Sequence, residues 1–246
     1  MTSHLSDKVA LITGGSRGIG AAIVRRLARD GAAVAFTYAA SEAKALALAQ
    51  EIADAGGQAL PILADSADPA QVRAAVDRTV ADLGGLDILV NNAGIIVRSQ
   101  VEDFDLAEMD RIYAINVRAV FAAVQAASPH LKAGGRIINT GSVVAERSGF
   151  PQSAIYSMSK GAVAAMTRGL ARDFGPRGIT VNAIQPGPTK TDMNNHDGVE
   201  DMLSPLMALG RLGEDHEVAN LAAWLAGPES SFVTGANLTI DGGYLA

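Results

Sequence analysis

The chain has 246 residues, 48% of them hydrophobic, 19% charged and 4% aromatic, with a formal net charge of −6. That length and apolar share suit a sizeable α/β domain and exclude a disordered chain. Dispersed acidic charge disfavours a basic nucleic-acid-binding face, and the absence of cysteine excludes disulfides, thiolate metal sites and cysteine nucleophiles.

Short apolar runs alternate with longer amphipathic stretches along the whole chain. The strand-like runs are Val9–Thr13, Ala33–Tyr38, Ala59–Ala64, Ile88–Val90, Arg136–Asn139, Ile179–Ile184 and Leu238–Ile240. Their continuous apolar character predicts parallel strands covered on both faces. Between them, Ile23, Val24 and Leu27 make one stripe at helical spacing, and Val72, Val76, Val80 and Leu83 another. The alternation predicts a doubly wound α/β fold, one parallel sheet of about seven strands with helices on both faces. No linker or repeat divides it, so residues 1–246 read as one domain. The stretch from Pro186 to Gly213 is too long for a plain connection and reads as a lid over about 187–213. No segment has the length of a membrane span and the first residues lack a targeting pattern, so a cytoplasmic protein is expected. His4, His130, His196 and His216 are scattered without ligand spacing, and no metal is expected.

The first strand runs into Thr13-Gly14-Gly15-Ser16-Arg17-Gly18-Ile19-Gly20, and a helix follows at once. Glycines at 14, 18 and 20 permit a tight turn, close approach to a phosphate, and helix N–H groups aimed at an anion. The GxxxGxG spacing differs from the commoner GxGxxG. Further along, Tyr156 and Lys160 fall four apart where Met166, Leu170 and Phe174 continue a helical pattern, so they share one helix face. A free tyrosine titrates near ~10, and a neighbouring ammonium is expected to lower that value and make an acid/base of it. Ser142 follows the apolar run Ile137-Ile138 and sits at a strand's carboxyl end, the ligand edge of an open α/β sheet. It can hold a substrate oxygen or merely cap the strand, and Val143 and Val144 beside it are candidate pocket walls. Asn116 interrupts the stripe Met109, Ile112, Tyr113, Val117, Val120, where an amide must be hydrogen-bonded.

The motifs TGGSRGIG, Asn91-Asn92-Ala93-Gly94, Ser142, Tyr156-Ser157-Met158-Ser159-Lys160, Pro186-Gly187 and Asp241-Gly242-Gly243 together resemble the short-chain dehydrogenase/reductase family. Within it the pattern is similar to 3-oxoacyl-carrier-protein reductases. The resemblance implies a Rossmann-like fold and an oxidoreductase that moves a hydride between nicotinamide and a ketone or secondary alcohol. It implies catalysis by Asn116, Ser142, Tyr156 and Lys160, with Asn116 holding a water that links Lys160 to solvent. It implies cofactor contacts from Gly14, Ser16, Arg17, Gly18, Ile19, Gly20, Thr37, Tyr38, Ser41, Asp65, Ser66, Asn92, Ala93, Gly94, Tyr156, Lys160, Pro186, Gly187 and Thr189. Tyr38 stands near the position where an acidic residue would repel a 2′-phosphate, and Arg17, Thr37 and Ser41 are placed to accept one, so NADP is expected over NAD. A homotetramer is expected by the same resemblance, with Asp105–Ser128 and Ala154–Phe174 as its interfaces. The lid supplies Met193, Met202, Leu203, Met207 and Leu209, as suited to packing as to substrate contact, and the polar Asn194, Asn195 and His196. The C-terminal half, with GLARDFGPRGITVNAIQPGPTKTD and AGPESSFVTGA, also resembles a subgroup of cyclic-di-GMP-binding biofilm-dispersal proteins, which implies a nucleotide-sequestering module as the competing reading.

Overall fold

The computed structural model describes residues 4–192 and 198–246. Its strands are β1 (Val9–Ile12), β2 (Ala33–Tyr38), β3 (Ala59–Leu63), β4 (Ile88–Asn91), β5 (Arg136–Thr140), β6 (Thr180–Pro186) and β7 (Asn237–Ile240). They form one seven-stranded sheet in the order β3-β2-β1-β4-β5-β6-β7, and every pair is parallel. The expected strands therefore all form, with ends shifted by a residue or two. The chain winds outward from β1 in one direction and from β4 in the other, which opens a crevice at their carboxyl ends.

The helices are α1 (Gly18–Arg29), α2 (Glu42–Asp54), α3 (Pro69–Leu83), α4 (Leu106–Tyr113), α5 (Ala119–Ala127), α6 (Ala154–Phe174), α7 (Val199–Leu203) and α8 (Asp215–Ala226). The pleat sends alternate strand residues to opposite faces. Ile12, Val34, Phe36 and Val90 pack with α1, α2 and α8, and Leu11, Ala35, Leu89 and Ile137 with α3, α5 and α6. The result is three layers, with the sheet buried between two apolar cores. No helix among the described residues is long and apolar enough to cross a membrane.

Two features depart from the sequence reading. The helix expected across Asp105–Ser128 is α4 and α5 joined by a π-helical turn, Ala114–Arg118. Such a turn inserts a residue and changes which side chains face inward: Asn116 is 1% exposed, whereas Tyr113, expected in the buried stripe, is 49% exposed. The second is a separate small core of Val143, Val199, Leu203, Met207, Leu212 and Tyr244, which ties the lid to the carboxyl-terminal tail. The lid's stem is closed by backbone pairing, with Lys190 N–H donating to the Gly213 carbonyl and Gly213 N–H to that of Pro188. Met193, Asn194, Asn195 and His196 lie outside the described residues.

Candidate active site

At the crevice, the β1–α1 turn is built by close backbone packing. Gly14 has φ +65°, and a Cβ on it would lie 2.9 Å from the Ala93 Cα. Gly18 has φ +52°. A Cβ on Gly20 would fall on the Gly14 carbonyl and 2.5 Å from the Asn92 amide nitrogen. Asn92 clamps the turn by donating to the carbonyls of Thr13 (3.1 Å) and Gly14 (3.0 Å). The Thr13 hydroxyl accepts from the N–H groups of Asn92 and Ala93. Thr37, expected to offer its hydroxyl to the cofactor, is instead buried beneath the turn, where it accepts from Gly14 N–H at 3.0 Å. A threonine on the adjacent strand there gives the glycine turn a partner that water cannot supply.

The end of α1 that faces the crevice is ready for an anion. Arg17 is its N-cap without a side-chain cap bond, and no acidic residue occupies the first turn. The N–H groups of Gly18, Ile19 and Gly20 thus keep the positive end of a twelve-residue helix uncapped by protein. Ser16 is half-buried and Arg17 exposed beside it. The Ile19 side chain is half-buried and packs against the core. A glycine cradle that a Cβ would fill, opposite an uncapped helix, fits the pyrophosphate of a dinucleotide.

At the end of β2, Tyr38 is buried and its hydroxyl faces Glu42 at 3.4 Å, while Ser41 precedes α2 without using its hydroxyl as a cap. Lys44 reaches Asp192 of the lid at 2.8 Å, and the charge of Arg17 also bears on Asp192. The sequence reading missed Lys44, although a lysine three residues after Ser41 was its available signal. Asp65 turns its carboxylate onto its own loop, accepting from Ala67 N–H, and Ser66 is half-buried beside it. Pro186 ends β6, and Gly187 N–H donates to Ile240 where a Cβ would lie 2.7 Å from the Asp241 Cα. Thr189 is buried in the lid stem, with its hydroxyl donating to Gly187.

Tyr156 and Lys160 stand on the first turns of α6, locked to the sheet through a buried polar chain. Asn91 of β4 donates to Asn139 of β5, and Asn139 to Thr167 of α6, both at 2.9 Å. Lys160 Nζ donates to the Thr140 carbonyl at 2.7 Å and lies 5.7 Å from the centre of the Tyr156 ring. The loop from Ser142 to Tyr156 folds back through Ser148, Ser153 and Ser157. It brings Ser142 near enough for its hydroxyl to act on that of Tyr156, while the Ser142 oxygen accepts from Val144 N–H at 3.4 Å. Burial pushes the Tyr156 hydroxyl up to about 12, against smaller downward pulls from Ser142 and from the charge of Arg98. Lys160 is not among the groups that shift it, so the lowering expected from the ammonium is not seen and desolvation of the phenolate dominates. Burial also brings Lys160 down to about 8. A neutral phenol next to a mostly charged ammonium at neutral pH is the protonation state of a proton donor.

Asn116 is held at both ends of its amide. Oδ1 accepts from Ile95 N–H at 2.9 Å, and Nδ2 donates to the Ile95 carbonyl and the Ser159 hydroxyl. Both amide hydrogens are taken, which leaves only the second lone pair of Oδ1 for a water. Gly94 lies against both groups: a Cβ there would be 3.4 Å from Asn116 Oδ1 and 3.5 Å from Lys160 Nζ. Val143, a candidate pocket wall, is buried under the lid with Leu203 and Met207, whereas Val144 is half-buried. Met202 and Leu209 are exposed, so the lid's apolar residues divide between packing and open surface.

An open sheet with a phosphate cradle at its reversal, and a Ser–Tyr–Lys group at the same edge, defines a nicotinamide-dependent oxidoreductase. Residues 14–245 match the family described as enoyl-(acyl carrier protein) reductase. A cyclic-di-GMP-binding biofilm dispersal mediator protein of Escherichia coli is 51% identical over 97% of this chain and 98% of its own length. A short-chain dehydrogenase/reductase of Serratia marcescens is 54% identical, with a TM-score of 0.96 over 99% of this chain and 100% of that one. A short-chain dehydrogenase of Burkholderia cenocepacia, solved in complex with NADP, is 50% identical at the same TM-score of 0.96, over 99% of this chain and 100% of that one. The chain belongs to the short-chain dehydrogenase/reductase family.

Proposed function

We propose that the protein is an NADP(H)-dependent oxidoreductase acting on a ketone or secondary alcohol, as a carbonyl or 3-oxoacyl reductase. The observation that carries this reading is the meeting of Ser142, Tyr156 and Lys160 beside Gly94, at the edge where the glycine turn opens. The bound nicotinamide supplies or accepts the hydride. Ser142 holds the substrate oxygen and Tyr156 delivers the proton to it. The ammonium of Lys160 stabilises the phenolate that remains and holds the ribose hydroxyls. The π-turn around Asn116 keeps Gly94 and Lys160 in register. The backbone cradle of Gly14, Gly18 and Gly20 holds the pyrophosphate, with Asn92, Ala93 and Gly94 along the channel. Asp65 and Ser66 flank the adenine. Pro186, Gly187 and Thr189 close the far side.

Arg17, Ser41 and Lys44 are the groups suited to a 2′-phosphate, and the Burkholderia relative's complex with NADP supports that choice. The outer faces of α5 and α6 leave a groove in which the exposed Phe121 stands among Gln125, Asp173 and Arg177, a surface that supports association into a homotetramer. The test is NADPH and NADH oxidation across ketones and 3-oxoacyl thioesters. The reading predicts turnover with a higher kcat/KM for NADPH, and higher kcat/KM with NADH would contradict it. The name of the Escherichia coli relative favours a second reading, a module that sequesters cyclic-di-GMP. Calorimetric titration showing tight cyclic-di-GMP binding, together with no turnover of any ketone, would establish that reading instead.

A further inference from the structure

The first arm of the lid runs over the glycine turn. A Cβ on Gly18 would meet the Thr191 side chain at 3.4 Å, and Gly18, Thr191 and Asp192 line one cavity of about 550 Å³. The Asp192 carboxylate accepts from the ammonium of Lys44, on the first turn of α2, at 2.8 Å. Of the ion pairs among the described residues, this one alone joins the lid to the half of the chain that carries the glycine turn. The neighbouring Lys190 is taken by Glu200 and Glu214, at the base of the lid. The side chains of Lys44 and Asp192 are 60% and 47% exposed, so another anion can reach the ammonium from water. An acid of the lid therefore occupies the cation that stands three residues after Ser41, in the corner suited to a 2′-phosphate.

We infer that Asp192 is a specificity-determining residue that competes with the cofactor's 2′-phosphate for Lys44, and so sets how strongly NADP(H) is preferred over NAD(H). This rests on the reading of the protein as an NADP(H)-dependent oxidoreductase. A 2′-phosphate must take the ammonium from Asp192 or share it, and in either case it approaches a carboxylate of like charge. The uncharged 2′-hydroxyl of NAD(H) meets neither cost. A strap that merely closed over the bound cofactor would act differently, because breaking it would loosen both dinucleotides alike. Competition leaves NAD(H) untouched, and its removal tightens NADP(H) alone.

The experiment measures binding rather than turnover. NADPH and NADH are titrated by fluorescence, and adenosine 2′,5′-bisphosphate and 5′-AMP by calorimetry, into the wild type, Asp192→Asn, Lys44→Met and the double variant. Freeing an ammonium from an exposed ion pair predicts that Asp192→Asn binds NADPH and the bisphosphate about three- to fivefold more tightly. Its affinities for NADH and AMP should stay within about 1.5-fold of wild type. Lys44→Met should weaken the two 2′-phosphorylated ligands, and in that background Asp192→Asn should gain less than about 1.5-fold. Equal changes for phosphorylated and unphosphorylated ligands, weaker NADPH binding by Asp192→Asn, or a full gain that persists without Lys44 would each overturn the inference. If the wild type binds NADPH more tightly than NADH and Asp192→Asn changes nothing, the inference falls and the NADP(H) reading stands. A wild type that binds neither dinucleotide removes that reading and this inference with it.

Discussion

The two sides of the crevice are built differently. The cofactor side is continuous chain, β1, the glycine turn and α1, braced by Thr37 from β2 and Asn92 after β4. Its shape comes from backbone, from positive φ at Gly14 and Gly18 and from contacts too close for a side chain. The substrate side is assembled from remote pieces: the loop after β4, the Ser142 loop, α6, the lid and the carboxyl-terminal tail. Side chains hold it, through the Asn91–Asn139–Thr167 chain, the Asn116 amide and the lid core on Tyr244. A side made of backbone tolerates no added atom, whereas one made of side chains can be retuned residue by residue. That contrast suits a shared cofactor and a variable substrate.

The largest effect belongs to the substrate side. Lys160→Met should lower turnover by roughly 10²–10⁴-fold, the usual worth of an acid/base apparatus. It should not destabilise the fold in proportion. Burial holds the folded-state value near 8, below the ordinary 10.5 of an exposed lysine. Between those values the unfolded chain binds more protons, so wild-type stability rises with pH from about 8 towards 10, by about 1–3 kcal/mol. Urea unfolding at pH 7 and pH 9.5 should show this rise in the wild type and its absence in Lys160→Met. The same titration predicts that ketone reduction falls as pH rises through about 8 and the ammonium is lost.

On the cofactor side, Gly20→Ala places a methyl group on the Gly14 carbonyl and the Asn92 amide. Opening the turn should cost about 1–3 kcal/mol, read as a roughly five- to 150-fold weaker NADPH dissociation constant. Arg17→Ser should leave NADH use nearly unchanged and lower the NADPH/NADH selectivity by about tenfold, as expected for one lost charge-assisted phosphate contact. If NADH suffers equally, Arg17 serves the pyrophosphate rather than the 2′-phosphate. The smallest effect is expected in the lid. Met207→Ala loosens the satellite core and should raise the ketone KM by about fivefold with little change in Tm, since that core can open locally.

The same contrast governs what could be read from the sequence. The strands, the glycine turn and the Tyr156–Lys160 spacing depend on local pattern and were legible, as were the helix bounds of Ala154–Phe174. The π-turn was not, because it exists only once Asn116 finds Ile95 and Ser159 across the fold. Thr37 looked like a cofactor hydroxyl because its position on β2 was correct, but which face it presents depends on the turn it supports. The direction of the Tyr156 shift was missed for a similar reason. Spacing reveals the ammonium, while the burial of the phenol, which dominates its shift, exists only in the assembled fold. Lys44 carries no motif, and only its ion pair with Asp192 singles it out.

The most direct test of the account is Tyr156→Phe, with NADPH binding and ketone reduction measured on the same preparation. The account predicts an NADPH dissociation constant within about twofold of wild type, since the cradle is backbone, and turnover reduced by at least about 100-fold because the proton donor is gone. Substantial retained turnover would contradict Tyr156 as the donor. Loss of NADPH binding along with turnover would contradict the independence of the two sides.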